Sequence, residues 1–491
     1  MLFTSISFPL FLSLIFLLYW FVFNKNLKAQ NFLLLIGSYI FYAWFDWRFL
    51  LILFLISVSN YFIAILIQKN DKKQLKKLFY VLGLVINIGT LIIFKYFNFF
   101  VESFIKFNNI FGFNLNAGHI SLFLPIGISF YIFLSLSYII DVYQNKLIAV
   151  KNICDVLLTL SFFPIILAGP IHRPIKLLPQ IQNERRFRYT TATDGLKQIL
   201  WGLFMKIVIA DNCSQYVDIV FNNFIEYSGS TLVFGVLLFA VQIYADFAGY
   251  SNIAIGIGKL LGFEIVRNFA FPYFSRDIKE FWQRWNISLT NWFRDYVFLP
   301  IAYFVSKKIK SDKYLLINTN VLIYIIGISI TWILTGLWHG ANYTFIIWGL
   351  INGFSLLIFH LTYRYKKGLI SKKKNHNFYA MLILLESIFT FSIVTFSWIF
   401  FRSNSVSQAF EFISEILSPS FFTIPEIIPF RLIILISIFF IIEWFGRDSD
   451  FAIANIGDNW PITLRWSMYY SLTLAIFLFG GKEQQFIYFS F

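Results

Sequence analysis

Of 491 residues, 58% are hydrophobic, 21% aromatic and only 13% charged, with a mean hydropathy of +0.70. A soluble globule carries about 25% charged residues, so this composition excludes a chain built from soluble domains, and no stretch has the mixed composition of one. The formal charge of +15 sits in short loops between apolar runs, such as Lys307 to Lys313 and Arg364 to Lys374, which suits membrane orientation and contact with anionic lipid and argues against nucleic-acid binding.

A membrane-spanning helix needs about 20 predominantly apolar residues. Such runs recur along the chain at Ile6 to Phe23, Phe49 to Ile67, Leu78 to Phe94, Ile120 to Ile140, Val321 to Leu334, Tyr343 to Leu361, Phe378 to Phe401, Leu432 to Trp444 and Trp466 to Phe479. Shorter or interrupted apolar segments lie at Asn31 to Trp44, Val156 to Ala168, Leu196 to Ala210, Thr231 to Ala245 and Phe293 to Val305. The pattern predicts an all-α polytopic membrane protein with about 11 to 13 transmembrane or re-entrant helices. Without repeats or a low-complexity linker, it reads as one continuous membrane domain over residues 1–491.

The first run has no basic residue ahead of it and no small-residue cleavage site behind it, so it reads as a retained span rather than a signal peptide. Lys25 and Lys28 follow the first span, and Lys69, Lys72, Lys73, Lys76 and Lys77 follow the third. Both clusters are cytoplasmic under the positive-inside rule if the N-terminus lies outside. Cys154 and Cys213 are the only cysteines and form neither a CxxC pair nor part of a His/Cys cluster, so no disulfide framework and no metal site is expected.

Phosphate-loop, nucleophile-elbow and HExxH motifs are absent. Gly256, Gly258 and Gly262 approach a dinucleotide fingerprint but at the wrong spacing, and glycines in an apolar segment read as helix-packing positions. What remains are polar residues in apolar surroundings, which are costly there and therefore candidates for function. In Phe274 to Pro300, FSRDIKEFWQRWNISLTNWFRDYVFLP, helical spacing places Trp282, Trp285, Leu289 and Trp292 on one face and Lys279, Gln283, Asn286, Thr290 and Arg294 on another. This describes an amphipathic helix, either anchored by tryptophans at the membrane surface or lying beside a cavity. In Thr331 to Thr344, TWILTGLWHGANYT, His339 ends a long apolar run between Gly336 and Gly340. That arrangement is either a packing motif or a small-residue clearing around an imidazole that accepts protons near neutrality.

These stretches, together with PIGISFYIFLSLSYIIDVY at Pro125 to Tyr143, LAGPIHRP at Leu167 to Pro174 and DFAGYSNIAIGIGKLLGF at Asp246 to Phe263, resemble the membrane-bound O-acyltransferase (MBOAT) superfamily. The similarity is to its bacterial branch of alginate and peptidoglycan O-acetylating proteins and teichoic-acid D-alanylation proteins, and it runs nearly end to end. The resemblance implies an MBOAT-type fold with a central channel in the bacterial cytoplasmic membrane. The implied reaction is transfer of an acetyl group from a cytoplasmic thioester, acetyl-CoA, toward hydroxyls of an envelope polysaccharide. It implies His339 as base, paired with Asn286 where the polysaccharide-acetylating branch usually carries histidine. Arg284, Trp285, Trp338, Asp246 and Asp295 are expected to contact substrate or support the channel. An SGNH-hydrolase-type partner is implied on the outer face. The C-terminal FxYxxF pattern of Phe486, Tyr488 and Phe491 resembles a tyrosine motif linked to acyl relay, against a plain reading as an aromatic interfacial anchor. A transporter, a non-catalytic scaffold of an export complex and transfer of a longer acyl chain remain open beside this reading.

Overall fold

The computed structural model describes residues 1–113, 123–309, 311–314, 317–370, 376–480 and 484–487. Helices dominate, as the apolar periodicity predicts; the only strands among the described residues are the two-residue pair Lys313–Tyr314 and Ile317–Asn318. Among the described residues, seven helices are long and apolar enough to cross a membrane: Trp47–Lys69, Lys73–Ile110, Gly229–Leu260, Thr319–His339, Tyr343–Thr362, Met381–Arg402 and Ile462–Phe479. Ser7–Val22 and Ile128–Tyr143 are shorter apolar helices. The chain is thus a multi-pass, all-α membrane protein.

Other apolar runs form interrupted helices. Val156 to Ala168 divides at Phe162 into Ile153–Ser161 and Phe163–Ile166, with Pro164 in the first turn of the second. The hydroxyl of Ser38 accepts the Phe163 N–H at 3.1 Å, so the broken ladder is satisfied inside the protein, as lipid requires.

The chain packs as two compact units, Met1–Ile199 with Tyr250–Val266, and Leu200–Gly249 with Arg267–Phe491. Two of the three division points fall within continuous helices, which is why no linker composition marks them. In the first unit, Arg185 donates to Asn31 at 2.6 Å and lies over the rings of Tyr19 and Phe263, so its charge is both hydrogen-bonded and stacked on aromatic faces. His172 of the LAGPIHRP motif is buried there too, its Nδ1 accepting the Val266 N–H at 3.3 Å. Burial, aided by the charge of Lys176, pushes its imidazole down to about 4, which keeps it a neutral structural acceptor.

The second unit is organised around the helical hairpin of Thr319–His339 and Tyr343–Ile370. Its helices approach at glycines: a Cβ on Gly336 would lie 2.2 Å from the Phe345 carbonyl oxygen, and one on Gly349 would lie 2.3 Å from that of Trp332. Small residues let helix backbones touch where lipid offers no hydrophobic drive for association. Gly336→Ala should therefore force the hairpin apart and destabilise the protein by about 1–3 kcal/mol, read as a lower melting temperature of the detergent-solubilised protein; an unchanged melting temperature would mean that the hairpin does not depend on this contact.

Candidate functional site

Every residue of the site belongs to the second unit. The stretch expected to form one amphipathic helix is instead two, Ile278–Arg284 and Ile287–Phe293, with a break at Trp285 and Asn286. Asn286 adopts left-handed backbone angles (φ 41°, ψ 52°), a region that asparagine tolerates better than most residues. The backbone groups released by the break are taken up by a neighbouring segment. The Ala270 N–H donates to the Arg284 carbonyl at 2.9 Å, and the Ile287 N–H donates to the Asn268 carbonyl at 2.9 Å. The Asn268 side-chain oxygen then accepts from the Ser288 N–H at 3.2 Å and from its hydroxyl at 2.8 Å. The break is thus hydrogen-bonded on both sides. Nor are its tryptophans surface anchors: Trp282, Trp285 and Trp292 are all buried.

The polar ridge read from the sequence survives the break. Lys279, Gln283, Asn286, Thr290 and Arg294 all line one cavity of about 210 Å³, whose opposite wall is formed by the hairpin through Thr331, Trp332, Thr335, His339 and Trp348. Lys279, Gln283 and Arg294 are exposed whereas Asn286 and His339 are buried, so the cations rim the cavity and the imidazole and amide lie within it. No carboxylate lines it among the described residues. Arg294 pairs with Asp295 at 2.7 Å, while Lys279 makes no ion pair among the described residues.

His339 closes the helix Thr319–His339, its ring held edge-on by Trp338 at 4.9 Å, Trp348 at 4.8 Å and Phe401 at 5.1 Å. Four tryptophans line the cavity, Trp282, Trp285, Trp332 and Trp348, and Trp282 lies 4.5 Å from Trp332 and 5.7 Å from Trp348. The cavity is therefore mainly apolar, yet the buried donors Asn286 Nδ2, Trp282 Nε1 and Trp348 Nε1 have no hydrogen-bond partner among the described residues. Buried donors without acceptors are costly, and three of them around one space suit a ligand that brings oxygen acceptors.

Past His339 the chain turns into a second, more polar cavity of about 660 Å³, lined by Gly340, Asn342, Arg402, Asn404, Gln242 and Gln484 among others. Its amides and the Arg402–Asp218 pair at 2.7 Å offer hydrogen bonds in both directions.

An imidazole and an amide on opposite walls of an apolar cavity beside a polar one is an arrangement suited to acyl transfer. The chain is 34% identical to the probable alginate O-acetylase of Pseudomonas aeruginosa over 84% of its length and 72% of the relative's. It is 31% identical to the peptidoglycan O-acetyltransferase of Helicobacter pylori over 78% and 73% respectively. The chain belongs to the membrane-bound O-acyltransferase family. A teichoic acid D-alanyltransferase of Bacillus subtilis is 27% identical over 57% of this chain and 69% of its own; no protein-family model matches. The enzyme is thus a membrane O-acyltransferase.

Of the residues expected in this family's site, His339, Asn286 and Trp285 line the apolar cavity. Trp338 packs on His339. Arg284 donates to Glu280 at 2.6 Å and is not among the lining residues. Asp295 pairs with Arg294 at its rim. Asp246 is buried in an ion pair with Lys206 at 2.8 Å, and Tyr488 lies outside the described residues. Asn268 and the pair Trp332 and Trp348 are missing from the sequence reading. Asn268 stands alone in RNFAFP with no pattern to mark it, although an asparagine beside a family motif was the available signal.

Asn268→Ala should leave Ser288 without its side-chain acceptor and let Asn286 drift, costing about 10²-fold in acyl transfer at near-normal membrane abundance. Full activity in the purified variant would show that the break holds itself.

Proposed function

We propose that this O-acyltransferase moves an acetyl group from a cytoplasmic thioester, acetyl-CoA, toward hydroxyls of a cell-envelope polysaccharide, from the bacterial cytoplasmic membrane with its N-terminus outside. The observation that carries the reading is the placing of His339 and Asn286 on one mainly apolar cavity with N–H donors left over. His339 removes the proton of the Tyr488 hydroxyl as its oxygen attacks the thioester carbonyl carbon. The tetrahedral oxyanion is met by the Asn286 amide, with the Trp282 and Trp348 indoles as further donors in a water-poor space where such bonds are strong. Collapse breaks the C–S bond, and the imidazolium returns its proton to the departing thiolate.

Lys279, without an ion pair among the described residues, and Arg294 suit a donor that carries phosphates, as coenzyme A does. Relatives named for alginate and peptidoglycan O-acetylation support a polysaccharide acceptor. In this reading an SGNH-hydrolase-type partner completes the transfer on the outer face, and Tyr488 carries the acyl group between the two steps as an ester on its phenolic oxygen. Ile487, the residue before it, lines the polar cavity, which supports that assignment.

The deciding experiment measures acetate released separately from peptidoglycan and from exopolysaccharide in cells making wild-type protein or His339→Ala at equal membrane abundance. Loss from one fraction is expected and names the acceptor; unchanged acetate in both removes the histidine-base mechanism. Asn286→Ala should lower kcat by about 10²–10³-fold with a smaller change in KM, and an equal fall in affinity alone would make it a binding group only. Tyr488→Phe should abolish transfer to polymer while leaving thioester binding intact; full transfer by that variant would eliminate the relay.

A further inference from the structure

Outside the cavity stands a buried charge cluster that the reaction as drawn does not use. Lys206, in a π-helical stretch at Phe204–Ala210, pairs with Asp211 at 2.7 Å and with Asp246 at 2.8 Å, all three side chains being almost fully buried. Wide turns of this kind within helices recur at functional sites, and ionisable groups buried in a membrane protein are rarely idle.

Two hydrogen bonds join the cluster to the C-terminal backbone. Lys206 Nζ donates to the Gln484 carbonyl at 3.1 Å, and the Ile487 N–H donates to Asp246 Oδ2 at 2.8 Å. Nearby, Asn212 donates to the Phe479 carbonyl at 2.9 Å, and Phe486, 1% exposed, lies edge-on to Phe247 at 5.8 Å. Gln484, Gln485 and Ile487 line the polar cavity together with Gly340, the residue after His339.

The geometry points to Lys206 and Asp246 as positioning residues for acyl transfer, holding the backbone of Gln484–Ile487 as a wall of the polar cavity. Asp246 is suited to this because its two oxygens engage two partners at once, Oδ1 the lysine ammonium as an ion pair and Oδ2 a backbone N–H as a hydrogen bond. An asparagine satisfies only one. With its oxygen toward Lys206 it opposes an NH₂ to the Ile487 N–H, and with its oxygen toward Ile487 it opposes that NH₂ to the ammonium. Asp246→Asn nevertheless leaves Lys206 balanced by Asp211, so the fold keeps a paired buried charge.

The test is amide hydrogen exchange of wild-type and Asp246→Asn protein in lipid nanodiscs, alongside acyl-transfer kinetics; only the kinetic arm rests on the acyl-transfer reading. Exchange in the peptide covering residues 484–487 should accelerate about tenfold or more, the effect of losing a charge-assisted bond, with the helices Thr319–His339 and Tyr343–Ile370 unchanged. The kcat should fall by a similar factor while KM for the acyl thioester stays constant, because the apolar cavity is untouched. Phe486→Ala, which loosens the same segment without altering any charge, should reproduce both effects and serves where Asp246→Asn fails to fold. Unaltered protection in the variants overturns the clamp, and a released segment with undiminished kcat overturns its role in transfer. Absence of transfer by the wild-type protein would instead strike the proposed reaction and leave the exchange result standing.

Discussion

A helix that stops inside a membrane protein strands backbone donors and acceptors that lipid will not satisfy, and the site depends on how that requirement is met between Arg284 and Ser288. Had the stretch continued as one helix, Asn286 would be one residue on a ridge. Because it breaks, residues 268–270 supply two backbone bonds and a side-chain acceptor, and Asn286 is fixed in a left-handed turn. The cost of that conformation, of order 1–3 kcal/mol for most non-glycine residues, is smaller for asparagine. This gives a local reason for an asparagine here, separate from its chemistry.

The opposite wall obeys a different constraint. His339 is held by the close approach of two helices at Gly336 and Gly349 and by three aromatic rings at about 5 Å. The two readings of the GxxxG-flanked histidine, packing motif or reactive imidazole, therefore do not compete. Gly336 makes the packing, and the packing places the imidazole on the cavity wall.

Much of this was legible in the sequence, for identifiable reasons. The ridge Lys279, Gln283, Asn286, Thr290 and Arg294 was visible because three- and four-residue spacing is a local signal, and a single left-handed residue carried it across the break into the next helix. The break was not visible, because its bonds come from Asn268 and Ala270, and Asn268 binds a side chain 20 residues away. The two-unit packing was hidden because division points within helices leave no trace in composition. Asp246 was expected from the family resemblance to contact substrate or support the channel, but its partners are Lys206 and the Ile487 amide, which only the fold brings together.

The two cavities differ in what they can admit. The one carrying Asn286 is mainly apolar, edged by cations and without a carboxylate among its described lining residues, so the proposed donor, with negative charge at one end and an uncharged thioester at the other, is matched along its length. The one beyond Gly340 is rich in amides, which exchange hydrogen bonds with hydroxyls at little cost in desolvation. The proposed reaction requires that these environments stay distinct, because water reaching a thioester would compete with a hydroxyl acceptor. The aromatic ring set around His339 supplies that separation: Trp348 faces the apolar cavity, Phe401 faces the polar one, and both touch the imidazole. His339 itself lines the apolar cavity, while the polar one is lined by its chain neighbour Gly340 and its ring partner Phe401.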